Sequence, residues 1–119
     1  MEELKEKRVE LAEFADFQKL EIRVGVIQAV ERVEGTRVAA FKLDVDFGVD
    51  IGVKKTLAQL TNYPQEALIG RQVLAVVNFA PKQIGPHRSE VLVLAVPTQD
   101  GGPALVVPDR DATVGGRLF

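Results

Sequence analysis

The sequence contains no cysteine and a single histidine, His87. Disulfides, thiolate zinc sites, iron–sulfur clusters and thiol nucleophiles are therefore excluded, and a Ser-His-Asp arrangement or a histidine-rich metal site would have to be built on one side chain. Catalysis is not expected, nor is a cofactor or a metal; His87 reads as a surface residue. Aromatic residues make up only 6% of the chain, which leaves little for base stacking. No apolar stretch is long enough to cross a bilayer, so membrane insertion is not expected. The N-terminus is charged from Glu2 onward and leads into no apolar core of the signal-peptide kind, which makes a cytoplasmic location the expectation. There is no internal repeat and no low-complexity segment. What is present is a globular balance, 46% hydrophobic and 27% charged over 119 residues, enough for one compact domain. Composition points to a small binding domain.

The net charge of −2 gives no long-range field favouring nucleic acid. Its distribution is uneven. Residues 1–21 carry seven acids against four bases, whereas residues 71–96 carry Arg71, Lys82 and Arg88 against Glu90 alone. A polyanion should meet the second region.

Residues 1–14 read as a helix, with Leu4, Leu11 and Phe14 on one side and too little apolar surface to stand alone. Asp16 then looks like the N-cap of a short turn, Phe17 to Leu20. From Ile22 the period becomes 2. Ile22, Val24 and Val26 alternate around Gly25, which suggests a bend or bulge. Phe41, Leu43, Val45 and Phe47 alternate with Lys42, Asp44 and Asp46 as a half-buried strand ended by Gly48. A third strand is expected within 51–60. Tyr63 to Gly70 predicts a short helix with Pro64 at its first position and Gly70 just past its end. The apolar runs Val73–Val77 and Val91–Val96 read as strands buried on both faces at the centre of the barrel. A turn over Pro97–Pro103 leads to a short strand, Ala104–Val107. Five or six short strands with a helix between the third and fourth predict an all-β fold, a small barrel of the oligonucleotide/oligosaccharide-binding (OB) type. The inserted helix argues against an SH3-like barrel.

Three segments carry a more specific pattern: Asp16-Phe17-Gln18-Lys19-Leu20-Glu21-Ile22-Arg23-Val24-Gly25; Val53-Lys54-Lys55-Thr56-Leu57-Ala58-Gln59-Leu60-Thr61; and Val77-Asn78-Phe79-Ala80-Pro81-Lys82-Gln83-Ile84-Gly85-Pro86-His87-Arg88-Ser89-Glu90-Val91-Leu92-Val93-Leu94. Together they resemble the tRNA-binding domain appended to methionyl- and phenylalanyl-tRNA synthetases and, more closely, the free-standing CsaA family of export-related chaperones. The resemblance covers about Phe14 to Phe119 and leaves residues 1–13 as a helical extension. It implies a non-catalytic OB-type barrel working as a homodimer, with unfolded or presecretory polypeptide or tRNA as partner. The acidic net charge puts polypeptide first.

Asn78 closes a buried strand and opens a loop, a position for satisfying backbone groups or for touching a ligand. Pro81, Gly85 and Pro86 restrain that loop, which bears Lys82 and Arg88, candidates for phosphate or carboxylate contact. Ser89 and Glu90 precede an apolar run, so Glu90 needs a partner: Lys82, Arg88, loop amides, or a ligand, for which it would select basic peptide segments. Phe79 is either a contact for a base or an apolar peptide side chain, or a plug in the barrel. Lys42 and Lys54 lie on strands two and three, whose outer face binds ligands in this fold; alternation puts Lys54 and Lys55 on opposite faces. The expected peptide- or tRNA-binding set is Lys42, Lys54, Asn78, Phe79, Lys82, Arg88, Ser89 and Glu90.

Overall fold

The computed structural model describes residues 10–119. Its first element, α1 (Phe14–Lys19), is preceded by irregular chain over residues 10–13. The helix expected over residues 1–14 thus lies largely outside the described residues, and within them helical structure starts only at Phe14. Asp16 is the third residue of α1, not its N-cap. Its carboxylate accepts the Glu13 N–H at 2.8 Å, which satisfies a donor that the helix start would otherwise leave open.

The strands are β1 (Ile22–Arg32), β2 (Phe41–Asp46), β3 (Val53–Ala58), β4 (Gln72–Val76), β5 (Lys82–Ile84), β6 (His87–Ser89), β7 (Leu92–Val93), β8 (Ala95–Pro97) and β9 (Pro103–Leu105). A second short helix, α2 (Gln65–Leu68), lies between β3 and β4, with Pro64 as its N-cap and Gly70 beyond its end. The main sheet has the order β3-β2-β1-β4-β7, and β5–β6 and β8–β9 are separate hairpins. This is the nearly closed, mostly β barrel that the strand pattern predicts.

The alternation in β2 explains the core. Phe41, Leu43, Val45 and Phe47 are all buried and meet Ile27, Leu60, Leu68, Val73, Ala75 and Val91 inside the barrel. Strand β4 is buried on both faces, as its unbroken apolar run predicts. Val73 and Ala75 face the main core, while Leu74 and Val76 join Ile22 and Val24 in a second cluster covered by Leu20, Leu94, Val106 and Ala112.

The run Val91–Val96 departs from expectation. It breaks into β7 and β8, with Leu92 and Val96 about half exposed. The reason is pairing: Leu92 and Val93 lie opposite Val76 and Ala75 of β4 and the Leu94 N–H still donates to Leu74 O at 2.9 Å, after which the chain turns off to form the β8–β9 hairpin. An apolar run specifies how much surface there is to cover, not how many strands cover it.

Strand β1 is long enough to serve both halves of the sheet. Ile22–Val26 pairs with β4 and Val26–Arg32 with β2. Beside its first half lies the C-terminal segment, where Gly115 N–H donates to Val24 O at 2.8 Å and Leu118 N–H to Ile22 O at 2.8 Å. The irregular register lies between Ile27 and Ala29, so the bulge expected at Gly25 falls further along the strand.

An ion pair fixes the junction of α1 with β1. Arg23 Nη2 lies 2.6 Å from Glu21 Oε1, and Arg23 Nη1 donates to Gly115 O at 3.0 Å. The hydrogen bond from Arg23, then its charge, holds the Glu21 carboxyl below the usual carboxylate range, with Arg117 adding to the effect against slight desolvation. A carboxyl whose folded pKa is depressed contributes stability above its unfolded pKa, about 4.3, and loses it as the pH falls through the folded value. Glu21→Gln is therefore expected to lower the melting temperature at pH 7, with the gap from the parent closing as the pH falls through the folded value. A gap that is constant with pH would remove the ion pair from the explanation.

Candidate functional site

The side of β3 away from β2 is closed mostly by side chains. Lys55 and Glu90 exchange two bonds: Lys55 N–H donates to Glu90 Oε1 and Glu90 N–H to Lys55 O, both at 2.8 Å. Ser89 Oγ accepts the Leu57 N–H at 3.3 Å and shares a 2.9 Å hydrogen bond with Thr56 Oγ1. The Thr56 hydroxyl, fully buried, donates to Val91 O at 2.7 Å. Ser89, Glu90 and Thr56 thus stand where a ladder strand would, and they seal the barrel. A buried hydroxyl must have such a partner.

From the seam the β5–β6 hairpin runs out to the loop joining β1 and β2. Its turn is Gly85-Pro86, with Gly85 at φ +57°, and proline supplies the negative φ at the second position. The tip rests on the β1–β2 loop: His87 Nε2 lies 3.1 Å from Glu34 O, and a Cβ on Gly85 would lie 2.5 Å from Gly35 O. Two loops far apart in sequence are locked together here.

Between these loops and the end of β3 opens a groove of about 440 Å³. Val38, Ala40, Leu57, Ala58 and Ile84 make it aliphatic, and Arg37 is its one charged lining residue. That size is ordinary for a site that takes a side chain or small group. None of these residues is in the binding set expected from sequence, although Leu57, Ala58 and Ile84 lie in the segments that carry the specific pattern. Residues 33–40 have no periodicity, and a groove formed by two distant loops leaves no local signature.

The eight residues expected from sequence fall in separate places. Asn78 sits at the foot of the loop after β4, where its Oδ1 accepts Glu21 N–H at 2.9 Å and its Nδ2 donates to Lys19 O at 2.8 Å, tying α1 to the barrel. Phe79, next to it, is half exposed and outside the groove. In the hairpin Lys82 pairs with Ser89 and Gln83 with Arg88. Neighbouring pairs point to opposite faces, so Lys82 shares a face with Ile84 and Ser89, while Arg88 is on the other. Lys42 lies on the outer face of β2, in register with Glu31 and Leu57. Lys54 is opposite Val45 on the core-facing side, whereas Lys55 is opposite Asp44, with Lys55 Nζ 3.1 Å from Asp44 Oδ1. The structure brings Lys82, Ser89 and Glu90 together; Lys42 and Lys54 are on different faces.

A second apolar surface lies elsewhere on the molecule. Phe14, Phe17, Leu20, Leu118 and Phe119 line one hollow, and Val24, Leu74, Ala112, Leu118 and Phe119 line another. Leu118 and Phe119 are common to both, so α1 and the C-terminus share one face. Phe14 is 71% exposed and Phe119 fully exposed.

The fold is thus a small, nearly closed barrel with a groove at its mouth. Residues 22–117 match the family model of the putative tRNA-binding domain. The chain is similar to the CsaA chaperone protein of Picrophilus torridus, at 42% identity and a TM-score of 0.88 over 92% of this chain and 100% of that one. The chaperone CsaA of Bacillus anthracis is similar at 39% identity and a TM-score of 0.86, again over 92% and 100%. The methionine–tRNA ligase of Neisseria meningitidis is 37% identical over 117 residues, 95% of this chain and 16% of the ligase. The chain belongs to the CsaA/tRNA-binding-domain family. It spans only about 15% of the length of the curated ligases it matches.

Proposed function

We propose that the protein is a non-catalytic homodimeric chaperone that binds unfolded, including presecretory, polypeptide in the cytoplasm. The observation that carries this reading is likeness over whole chains. The two CsaA chaperones are covered completely, whereas the ligases are matched only across a small part of their length. The aliphatic groove supports it, because burial of side chains from an unfolded client supplies affinity without any particular sequence. The face formed by α1 and the C-terminus supports the dimer: contiguous exposed aromatic and aliphatic groups of this kind mark an association surface, and a symmetric pair covers the same patch twice. Lys82, Ser89 and Glu90, with Lys42, Lys54, Asn78, Phe79 and Arg88 around the barrel, remain the proposed contact set.

The second reading, tRNA binding through phosphate contacts, is favoured by the family match. It predicts a strong salt dependence, with log affinity falling by about two to four units per decade of salt for three to five phosphates neutralised. Arg88→Glu should then weaken RNA binding and flatten the slope. The deciding experiment offers labelled bulk tRNA and a chemically unfolded reporter protein to the same preparation at physiological salt. Suppression of reporter aggregation with weak, salt-sensitive RNA binding is the expected result. Tight tRNA binding with no protection of the reporter would reverse the order of the two readings.

A further inference from the structure

We infer that the groove between the β1–β2 loop, the end of β3 and the tip of the β5–β6 hairpin takes an aliphatic side chain from an extended polypeptide segment flanked by acidic residues. This rests on the chaperone reading and names the class of client segment.

Three features of the groove select that occupant. Its walls are aliphatic and contain no aromatic side chain, so a nucleobase would find no stacking platform, the usual source of about 1–3 kcal/mol per base in single-strand binding. It also lies at the end of a strand edge. The Lys55 and Leu57 amides both point to the seam side of β3, where Glu90 and Ser89 receive them. Alternation continues that direction to Gln59, which lines the groove and whose N–H has no hydrogen-bond partner among the described residues. A backbone carbonyl of an extended chain satisfies that donor while the adjacent side chain enters the groove, the usual geometry of a peptide laid along a sheet edge.

The third feature is charge. Arg37 lines the groove, and Lys82 extends from the hairpin face that also carries Ile84. Glu90, expected from sequence to attract basic segments, has its Oε1 occupied by the Lys55 amide. Arg37 and Lys82 thus outnumber Glu90, and the net charge beside the groove complements an acidic flank.

The test uses the full chain and three fluorescein-labelled nine-residue peptides. One has a Val-Leu-Ile-Val centre with Asp-Glu flanks, one the same centre with Lys-Lys flanks, and one the acidic flanks with a Ser/Asn centre. The parent should bind the first at least several-fold tighter than the others. Val38→Asp, at a half-exposed loop position, should weaken that peptide roughly tenfold by placing a charge in the apolar wall. Arg37→Glu should reverse the preference between acidic and basic flanks. If both variants bind the acidic peptide as the parent does and still protect the unfolded reporter, the groove is not the site and the chaperone reading survives without it. A parent that binds none of the peptides and protects no reporter defeats both. Loss of bulk tRNA binding in Val38→Asp with unchanged peptide affinity assigns the groove to RNA and overturns the inference. Should Val38→Asp fail to fold, the flank preference of the exposed Arg37→Glu variant decides by itself: reversal supports the groove, and an unchanged preference rejects it.

Discussion

A chain carrying Phe17→Glu and Leu118→Glu is expected to sediment as a folded monomer at micromolar concentration, and the parent as the proposed dimer. Both side chains are about one-third exposed, and they line the hollow between α1 and the C-terminus together with the more exposed Phe14 and Phe119. Aromatic and aliphatic anchors at the centre of an interface typically contribute about 2 kcal/mol or more each. Each substitution is present in both protomers, so four anchors are lost, which by simple addition corresponds to a rise of roughly five to six orders of magnitude in the dimer dissociation constant, and two buried carboxylates per protomer would add to it. Folding should survive. Helix α1 buries none of its residues fully, and Leu118 is joined to Ile22 through its backbone N–H, which the substitution retains. Peptide binding at the groove should survive too, because the two surfaces share no lining residue. A parent that is monomeric in sedimentation equilibrium, or a double variant that is still dimeric, would refute the dimer proposal.

How far the sequence reveals this molecule depends on how local each determinant is. Strand β2 is legible because its partners above and below are set by its own alternation, and the four apolar residues from Phe41 to Phe47 are indeed the centre of the core. Helix α2 is legible from Pro64 and Gly70, which stop the chain at either end. The run Val91–Val96 is not. Its division between β7 and β8 depends on the return of β9, whose continuation at Val106 bonds to both Leu74 and Leu94. The seam is half visible: Ser89 and Glu90 stand out as polar residues before an apolar run, but their partners Lys55, Leu57 and Thr56 are over thirty residues away. Asn78 is likewise recognisable as a residue that satisfies backbone, though not as one that ties down the α1–β1 junction. The groove is the least visible: the restrained loop around Gly85 stands out in the sequence, but its partner over residues 33–40 has no pattern, and nothing local says that the two meet.

Gly25 shows the same limit, and a single methyl group there is expected to cost much stability. The sequence places it inside an alternating strand, where a glycine suggests a bend, yet β1 runs through it in regular register opposite Val73. What the position lacks is room. A Cβ there would lie 2.5 Å from Val45 Cγ1 and 2.7 and 2.9 Å from the Phe47 ring, distances at which something must move. Val45 and Phe47 are themselves buried among the core side chains and have little freedom to yield. Gly25→Ala is therefore expected to cost about 1–3 kcal/mol through overpacking, out of a total that for a domain of this size is about 5–15 kcal/mol. Gly25→Val should cost more and approach the loss of the folded state. The cause is separable from any effect on the backbone. Phe47→Leu alone should also destabilise, by leaving a space, but combined with Gly25→Ala the two changes should fall well short of additive, since each supplies what the other disturbs. Urea titrations of the parent, both single variants and the double variant would measure this coupling. Strict additivity would mean that the β1 backbone, and not the space between Gly25, Val45 and Phe47, is what requires glycine at this position.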